Sequence, residues 1–75
     1  MNEKQILEVL KLMNLHYFNN EADITLMEKS YLFCLPMATP SNIITTVRCS
    51  LIILFPELEE ITDRFGTIFK IPMDE

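Results

Sequence analysis

The segment from residue 43 to residue 55 constrains the fold of this chain more than any other. It is a run of apolar and β-branched side chains in which Arg48 is the only charged residue. β-Branched side chains are stiff at χ1 and pack well on a pleated surface, so their density favours a strand. In that interpretation the odd positions, from Ile43 to Phe55, form one nearly continuous apolar face.

The same segment also fits a helix, and this alternative stays open. Pro40 is suited to the first turn of a helix, where its missing N–H costs nothing. Ile43, Val47 and Leu51 would then form an apolar stripe at helical spacing. A helix over 40–54 would make the protein mainly α, whereas a strand predicts a mixed fold.

An amphipathic helix is predicted at the N-terminus, from Asn2 to about Leu15. Its apolar side chains recur at helical spacing and define one face, which consists of Ile6, Val9, Leu10 and Met13. Asn2 is a suitable N-cap, and Gln5 follows three residues later to complete a capping box. Leu12 and Leu15 point away from the apolar face, which indicates a second contact surface.

A small antiparallel sheet is predicted for most of the remaining chain. Residues 30–37 are rich in aromatic and aliphatic side chains and are expected to form a strand. This strand and residues 43–54 make a hairpin spanning about 30–54, and residues 67–72 add a C-terminal strand. Residues 21–29 are either a strand or a short helix.

An acidic helix is predicted over residues 56–65. Pro56 suits its start, Gly66 suits its end, and acidic side chains in its first turn interact favourably with the helix dipole. Side chains three or four residues apart are neighbours on the surface of a helix. The acidic side chains of this helix would therefore form one patch, which consists of Glu57, Glu59, Glu60 and Asp63. The predicted fold class is therefore α+β, as a single small domain over residues 1–75 without an internal repeat.

The cysteines and the histidine carry no recognisable motif. Cys34 and Cys49 lie in apolar runs, so we expect reduced thiols in the core. Neither cysteine forms a Cys-x-x-Cys pair, and His16 is the only histidine, so no metal site is expected. A single glycine excludes the glycine-rich phosphate loops. We therefore expect no cofactor and no enzymatic activity; a nucleophilic pair of His16 with either thiol has no motif to support it.

The charge is acidic, with a formal net charge of −5. Binding to nucleic-acid phosphates needs clustered basic residues, and here the six Lys and Arg residues are scattered, so no direct nucleic-acid binding is expected. The longest apolar run, Leu51 to Phe55, is far shorter than the roughly 20 residues of a membrane span. No basic head precedes an apolar run at the N-terminus. We expect a cytoplasmic protein that does not bind membranes.

These observations favour a non-enzymatic protein-binding module, namely a small acidic regulator or inhibitor that occludes a larger protein. That partner is expected to be basic or nucleic-acid-binding. The predicted contact residues are Leu12, Leu15, Tyr17, Phe18, Glu57, Glu59, Glu60 and Asp63. The alternative is a structural homo-oligomeric assembly protein, such as a homodimer, joined through a strand edge or the first helix.

Overall fold

The computed structural model describes residues 2–64 and 66–73, which form two helices and four strands. In chain order they are α1 (Glu3–Phe18), β1 (Asp23–Met27), β2 (Ser30–Cys34), α2 (Ser41–Leu54), β3 (Glu59–Asp63) and β4 (Gly66–Pro72). The strands make one antiparallel sheet in the order β1-β2-β4-β3. The predicted α+β class with a small antiparallel sheet is confirmed. In the same described residues, no helix is long and apolar enough to span a membrane.

The predicted capping box begins α1. The Asn2 side chain accepts a hydrogen bond from the Gln5 backbone N–H at 2.9 Å, and the Gln5 side chain accepts one from the Asn2 N–H at 3.1 Å. The helix continues past Leu15 to Phe18 and ends at Asn19, which adopts the left-handed conformation with φ of 52°. Asparagine tolerates that conformation better than most residues do, so it gives the helix a defined end.

The core lies between one face of the sheet and the two helices. Because side chains alternate along a strand, Phe33 of β2 and Phe69 of β4 point to the same face, where they are opposite one another and fully buried. The remaining buried apolar side chains join these two in one cluster, and they are Ile6, Leu10, Phe18, Ala22, Tyr31, Leu35, Val47, Leu51, Phe55 and Ile71. Both helices therefore cover the same face of the sheet.

The strand predicted over residues 43–54 is wrong: the segment is helical, as the alternative predicted, but the protein is α+β and not mainly α. Residues 41–54 form α2, with Pro40 as its N-cap and with Val47 and Leu51 fully buried. The predicted hairpin over 30–54 does not exist, because β2 is already paired with β1 on one side and β4 on the other. Burial of the helical stripe on the sheet outweighs the strand preference of the β-branched residues.

The acidic helix predicted over residues 56–65 is also wrong. Residues 59–63 form β3, which pairs with β4 as a hairpin, and Phe65, the last residue of the predicted helix, lies outside the described residues. Gly66 does not end a helix but begins β4, with a φ of 127° that L side chains rarely adopt. The hairpin pairs the odd residues of 59–63 with β4 through backbone hydrogen bonds. A helix over this segment would have few apolar side chains to bury against the sheet.

The expectation that the chain has no internal repeat is corrected by the structure. Each half contains a helix followed by an antiparallel hairpin, whose last register pair is Met27 with Ser30 in the first half and Asp63 with Gly66 in the second. When the sequences are aligned on these pairs, Leu-Phe-Cys-Leu-Pro-Met at 32–37 corresponds to Ile-Phe-Lys-Ile-Pro-Met at 68–73. The repeat is hard to see in the sequence because its two parts have different spacings. The helices correspond at a spacing one residue longer than that of the hairpins, which matches Leu10 with Val47 and Phe18 with Phe55.

The two halves are related by an approximate twofold axis between Phe33 and Phe69. These residues are equivalent in the repeat and are also register partners in the sheet. The pair Tyr31 and Ile71 maps onto the pair Leu35 and Thr67 in the same way, and the Leu35 N–H donates to the Thr67 carbonyl at 2.9 Å. The fold is thus two helix-hairpin units joined by antiparallel pairing of β2 with β4.

Asn14 is the main departure from this symmetry, because its equivalent in α2 is the apolar Leu51. Its buried side chain donates to the Ala22 carbonyl at 2.8 Å and accepts from the Ala22 N–H at 2.9 Å. Both backbone groups of a buried residue just before β1 are thereby satisfied. The contact holds the chain where it leaves α1 and enters the sheet.

Replacing Asn14 by leucine should destabilise the fold, although leucine is more apolar and fits a helix. The substitution leaves two buried backbone groups at Ala22 unpaired, and we expect the free energy of unfolding to fall by about 2 kcal/mol or more. Urea titration followed by circular dichroism measures this. Asn42→Leu, at an exposed helical position, is the control and should change the free energy much less. Equal losses in both variants would contradict the role of the Ala22 contact.

The twofold relation also predicts that a circular permutant folds. Residues 35–40 connect β2 to α2, so a link from residue 73 to residue 2 would connect β4 to α1 in the equivalent way. The Met73 N–H donates to the Lys29 carbonyl, and Glu3 accepts from the Tyr31 hydroxyl, so both ends lie near the start of β2. A permutant that begins at residue 38 should unfold cooperatively in urea. One that begins at residue 48, within α2, should not fold.

Candidate protein-binding site

The predicted apolar contact residues of α1 are only partly available to a partner. Leu12 and Leu15 are exposed, at 67% and 58%, as the sequence predicts for side chains outside the apolar face. Tyr17 is half-buried and packs against the core. Phe18 is buried against Phe33, with ring centroids 5.7 Å apart, so it offers a partner little surface. The helix runs far enough for Phe18 to fall on the face that covers the sheet.

A shallow cleft adjoins this end of α1. It has a volume of about 460 Å³ and lies between residues 15–19 of the helix and the segment that leads into α2. Leu15 and the edge of Tyr17 line one side, and Pro36 and Pro40 line the other. His16 stacks edge-to-face on Tyr17, with centroids 4.6 Å apart. The cleft brings together three of the predicted residues, but Phe18 presents little surface in it.

The predicted acidic patch is divided between two faces of the sheet. On a strand, Glu59 and Asp63 share a face, whereas Glu60 points to the opposite one. Glu60 accepts from the guanidinium of Arg48 on α2, including one hydrogen bond from Nη2 at 2.8 Å. Glu57 lies in the turn before β3 and is exposed. The four carboxylates therefore do not form one surface, because the helix that would have aligned them does not form.

The sheet face opposite the helices is a further surface, which we call the open face. No described residue outside the sheet is part of the core cluster on that side. The register places its side chains in two rows that cross all four strands and in a shorter row of Met27, Ser30 and Pro72. The first row is Asp23, Cys34, Ile68 and Ile61, and the second is Thr25, Leu32, Lys70 and Glu59. The sequence does not reveal this surface, because Ile61 and Glu59 were expected on a helix and residues 23–27 were not assigned to a strand.

The open face has an apolar centre and an acidic margin. Leu32, Cys34 and Ile68 are half-buried on the two central strands, and Ile61 on β3 is 44% exposed. Asp23 lies at the β1 side of the apolar row. Glu59 and Asp63 lie on the outer strand β3, and Lys70 lies on the central strand β4 as the register partner of Glu59, so the apolar centre is the row of Cys34, Ile68 and Ile61 together with Leu32. A cleft of about 270 Å³ at one end brings Glu21, Asp23 and Asp63 around Cys34 and Ile68.

The thiols do not occupy the core as the sequence predicted. Cys34 is half-buried on the open face, Cys49 is exposed on α2, and both are free. Burial, followed by the charge of Asp23, raises the pKa of the Cys34 thiol. A raised pKa favours the protonated thiol at neutral pH, which is a poor nucleophile. Cys34 also lies on the opposite side of the sheet from α1, which carries His16, so these two residues do not form a pair.

Possible metal ligands and the comparison with known proteins do not indicate a function. Within residues 2–64 and 66–73, no group of three or more His, Cys, Asp or Glu side chains is arranged to hold a metal ion. Comparison of the chain with known protein families, curated proteins and solved structures found no match.

The Arg48 and Glu60 pair predicts a specific pH dependence of stability. Its hydrogen bonds lower the pKa of the Glu60 carboxyl from its usual value of 4.5. The stabilisation is therefore present above that usual value and is lost as the pH falls through the lowered one. Because both side chains are partly exposed, at 40% and 27%, we expect at most about 1 kcal/mol.

The measurement is urea unfolding of the wild type and of Glu60→Gln at neutral pH and at a pH well below 4.5. The difference between the two proteins should be present at neutral pH and should vanish in acid. Glu57→Gln, at an exposed turn position, is the control and should match the wild type throughout. A Glu60→Gln deficit that persists unchanged in acid would show that the ionic contact is not its cause.

Proposed function

We propose that this chain is a non-enzymatic protein-binding module, a small acidic regulator that occludes a larger basic protein. The observation that carries the proposal is the open face, which combines an apolar centre with an acidic margin on a sheet whose other face is covered by helices. The proposal keeps the class of function that the sequence favours. It moves the binding surface from α1 and a supposed acidic helix to the sheet.

The apolar centre would supply most of the binding energy. Burial of apolar surface contributes about 25 cal/mol per Å², so covering the side chains of one row would stabilise a complex substantially. Contiguous exposed apolar surface on a small protein is also a recognised mark of an interaction site. Ile61, at 44% exposure, is the most accessible apolar side chain of the row and the one that a partner would cover most completely.

The acidic margin specifies the chemistry of the partner. Asp23 lies at one end of the apolar row, Glu59 and Asp63 lie along β3, and the described open face carries only Lys70 as a basic residue. A partner surface with an apolar side chain surrounded by Lys and Arg would match this distribution. Such complementarity raises the association rate and weakens with salt. Nucleic-acid phosphates would be repelled, so the proposed target is a basic protein.

Leu12 and Leu15 belong to a separate surface. They lie on the outer side of the helix layer, whereas the open face is on the other side of the sheet. A homo-oligomeric assembly protein is the second candidate function, and the uncovered edge of β1 is the observation that favours it.

The proposal predicts that a charge placed in the apolar row abolishes partner binding. Ile61→Lys and Ile53→Lys introduce the same change at exposed isoleucines, the first on the open face and the second on α2, where Ile53 is 78% exposed. Each tagged variant is used to capture proteins from a lysate of the native host, and retained proteins are quantified by mass spectrometry. Circular dichroism confirms that both variants are folded.

We expect a basic protein that the wild type and Ile53→Lys retain equally and that Ile61→Lys retains at least about tenfold less. Retention should also fall as salt increases, and Glu59→Lys should weaken it more than Glu8→Lys on α1. A partner lost with Ile53→Lys but kept with Ile61→Lys would contradict the proposal, as would a partner whose retention rises with salt.

A further inference from the structure

We infer that the free edge of β1 joins two copies of this chain in a symmetric dimer. In the described part of the chain β1 pairs only with β2, and β3 pairs only with β4, so the sheet has two outer edges. An outer strand presents backbone N–H and C=O groups that can pair with another strand. This inference deepens the second candidate function, the homo-oligomer, by naming its strand and register, and it does not depend on the open face or on its proposed partner.

The two edges differ in charge. Three of the five residues of β3 are acidic and all five are exposed, so two antiparallel copies of β3 would place Glu59 opposite Asp63. Like charges directly opposite each other destabilise a strand pair. β1, with the sequence Asp-Ile-Thr-Leu-Met, has only Asp23 as a charged residue. Pairing of β1 with a second β1 brings Asp23 opposite Met27, without any opposed like charges.

The backbone geometry shows which groups of β1 are available. The Leu35 N–H donates to the Thr67 carbonyl, so the odd residues of β2 bond to β4 and the even residues bond to β1. Their partners in β1 are the odd residues, including Thr25. The backbone groups of Ile24 and Leu26 consequently point away from the sheet.

Towards the N-terminus, the backbone groups of the next residue that points outward are already hydrogen-bonded. Ala22, two residues before Ile24, has both its N–H and its C=O bonded to the side chain of Asn14. The free edge is thus limited to Ile24 and Leu26. This length suits a short symmetric pairing between two copies and sets its register.

A twofold axis through Thr25 uses every free group on both edges. Ile24 of one copy lies opposite Leu26 of the second copy, and each such pair exchanges two backbone hydrogen bonds. On the helix side of the sheet, the same pairing packs Leu26 of each copy against Ile24 of the other. In the single chain Leu26 is 52% exposed and Ile24 is half-buried. Apolar cross-strand pairs of this kind stabilise antiparallel sheets. The product is one continuous sheet in which only the acidic β3 edges remain outermost.

The repeat provides matched controls for a test. Leu26 of β1 is equivalent to Thr62 of β3, and both carry outward-pointing backbone groups on an outer strand. We would measure the mass of the wild type, Leu26→Lys and Thr62→Lys by sedimentation equilibrium over a range of concentrations. The wild type and Thr62→Lys should dimerise equally, and Leu26→Lys should raise the dissociation constant at least about tenfold.

Cross-linking tests the register independently of affinity. Thr25→Cys places a thiol on the proposed axis in a non-hydrogen-bonded pair, where side chains of the two strands are closest. Cys34 and Cys49 are first replaced by serine. Glutathione disulfide should then convert Thr25→Cys to a covalent dimer, because the two protein thiols are oxidised to a disulfide while glutathione disulfide is reduced to two molecules of glutathione. Ile61→Cys, at the equivalent position of β3, should remain monomeric under the same conditions.

Three outcomes would overturn the inference. The first is a wild type that stays monomeric at all concentrations, which would leave the edge to a strand of a different protein. The second is a dimer that Thr62→Lys weakens as much as Leu26→Lys does. The third is a dimer of the wild type in which Ile61→Cys cross-links and Thr25→Cys does not. None of these outcomes bears on the capture of a basic protein by the open face.

Discussion

The antiparallel pairing of β2 with β4 is the contact on which the rest of the structure depends. It places Phe33 opposite Phe69, both fully buried, at the approximate twofold axis of the molecule. Each half contributes one helix and one hairpin, and an isolated two-stranded hairpin is at best marginally stable in water. The central pairing converts two such hairpins into a four-stranded sheet wide enough to carry both helices. A chain this short gains its core by joining two similar units.

The surfaces follow from that arrangement. Both halves place their helix on the same side of the sheet, so the twofold relation leaves the opposite side without a cover. The alternate positions that face the helices carry ring-bearing and branched side chains, and the intervening positions place Leu32, Cys34, Ile68 and Ile61 on the open face. The two outer strands differ in charge: three of the five residues of β3 are acidic, whereas Asp23 is the only charged residue of β1.

Sequence reasoning predicted the elements whose signals are local. The Asn2 and Gln5 capping box, the first helix, the strand around Phe33 and the C-terminal strand are each determined by side chains a few residues apart. It also predicted the exposure of Leu12 and Leu15. It did not predict the burial of Phe18, because the end of α1 depends on the left-handed Asn19 and on the contact of Phe18 with β2. It also missed the open face, which exists only when four strands are in register.

The sequence by itself determined the composition of the fold: an acidic α+β chain with an amphipathic first helix, a central apolar strand and no motif for phosphate or metal chemistry. Only the tertiary structure decided the secondary structure of residues 41–54 and 59–63. Both segments have side chains compatible with helix and strand, so their local preferences nearly cancel. The sheet resolved the choice, because it offered the first segment an uncovered face to pack on and the second a free strand to pair with. The local propensities for helix and strand were balanced in both segments, so long-range burial and hydrogen bonding determined their secondary structure.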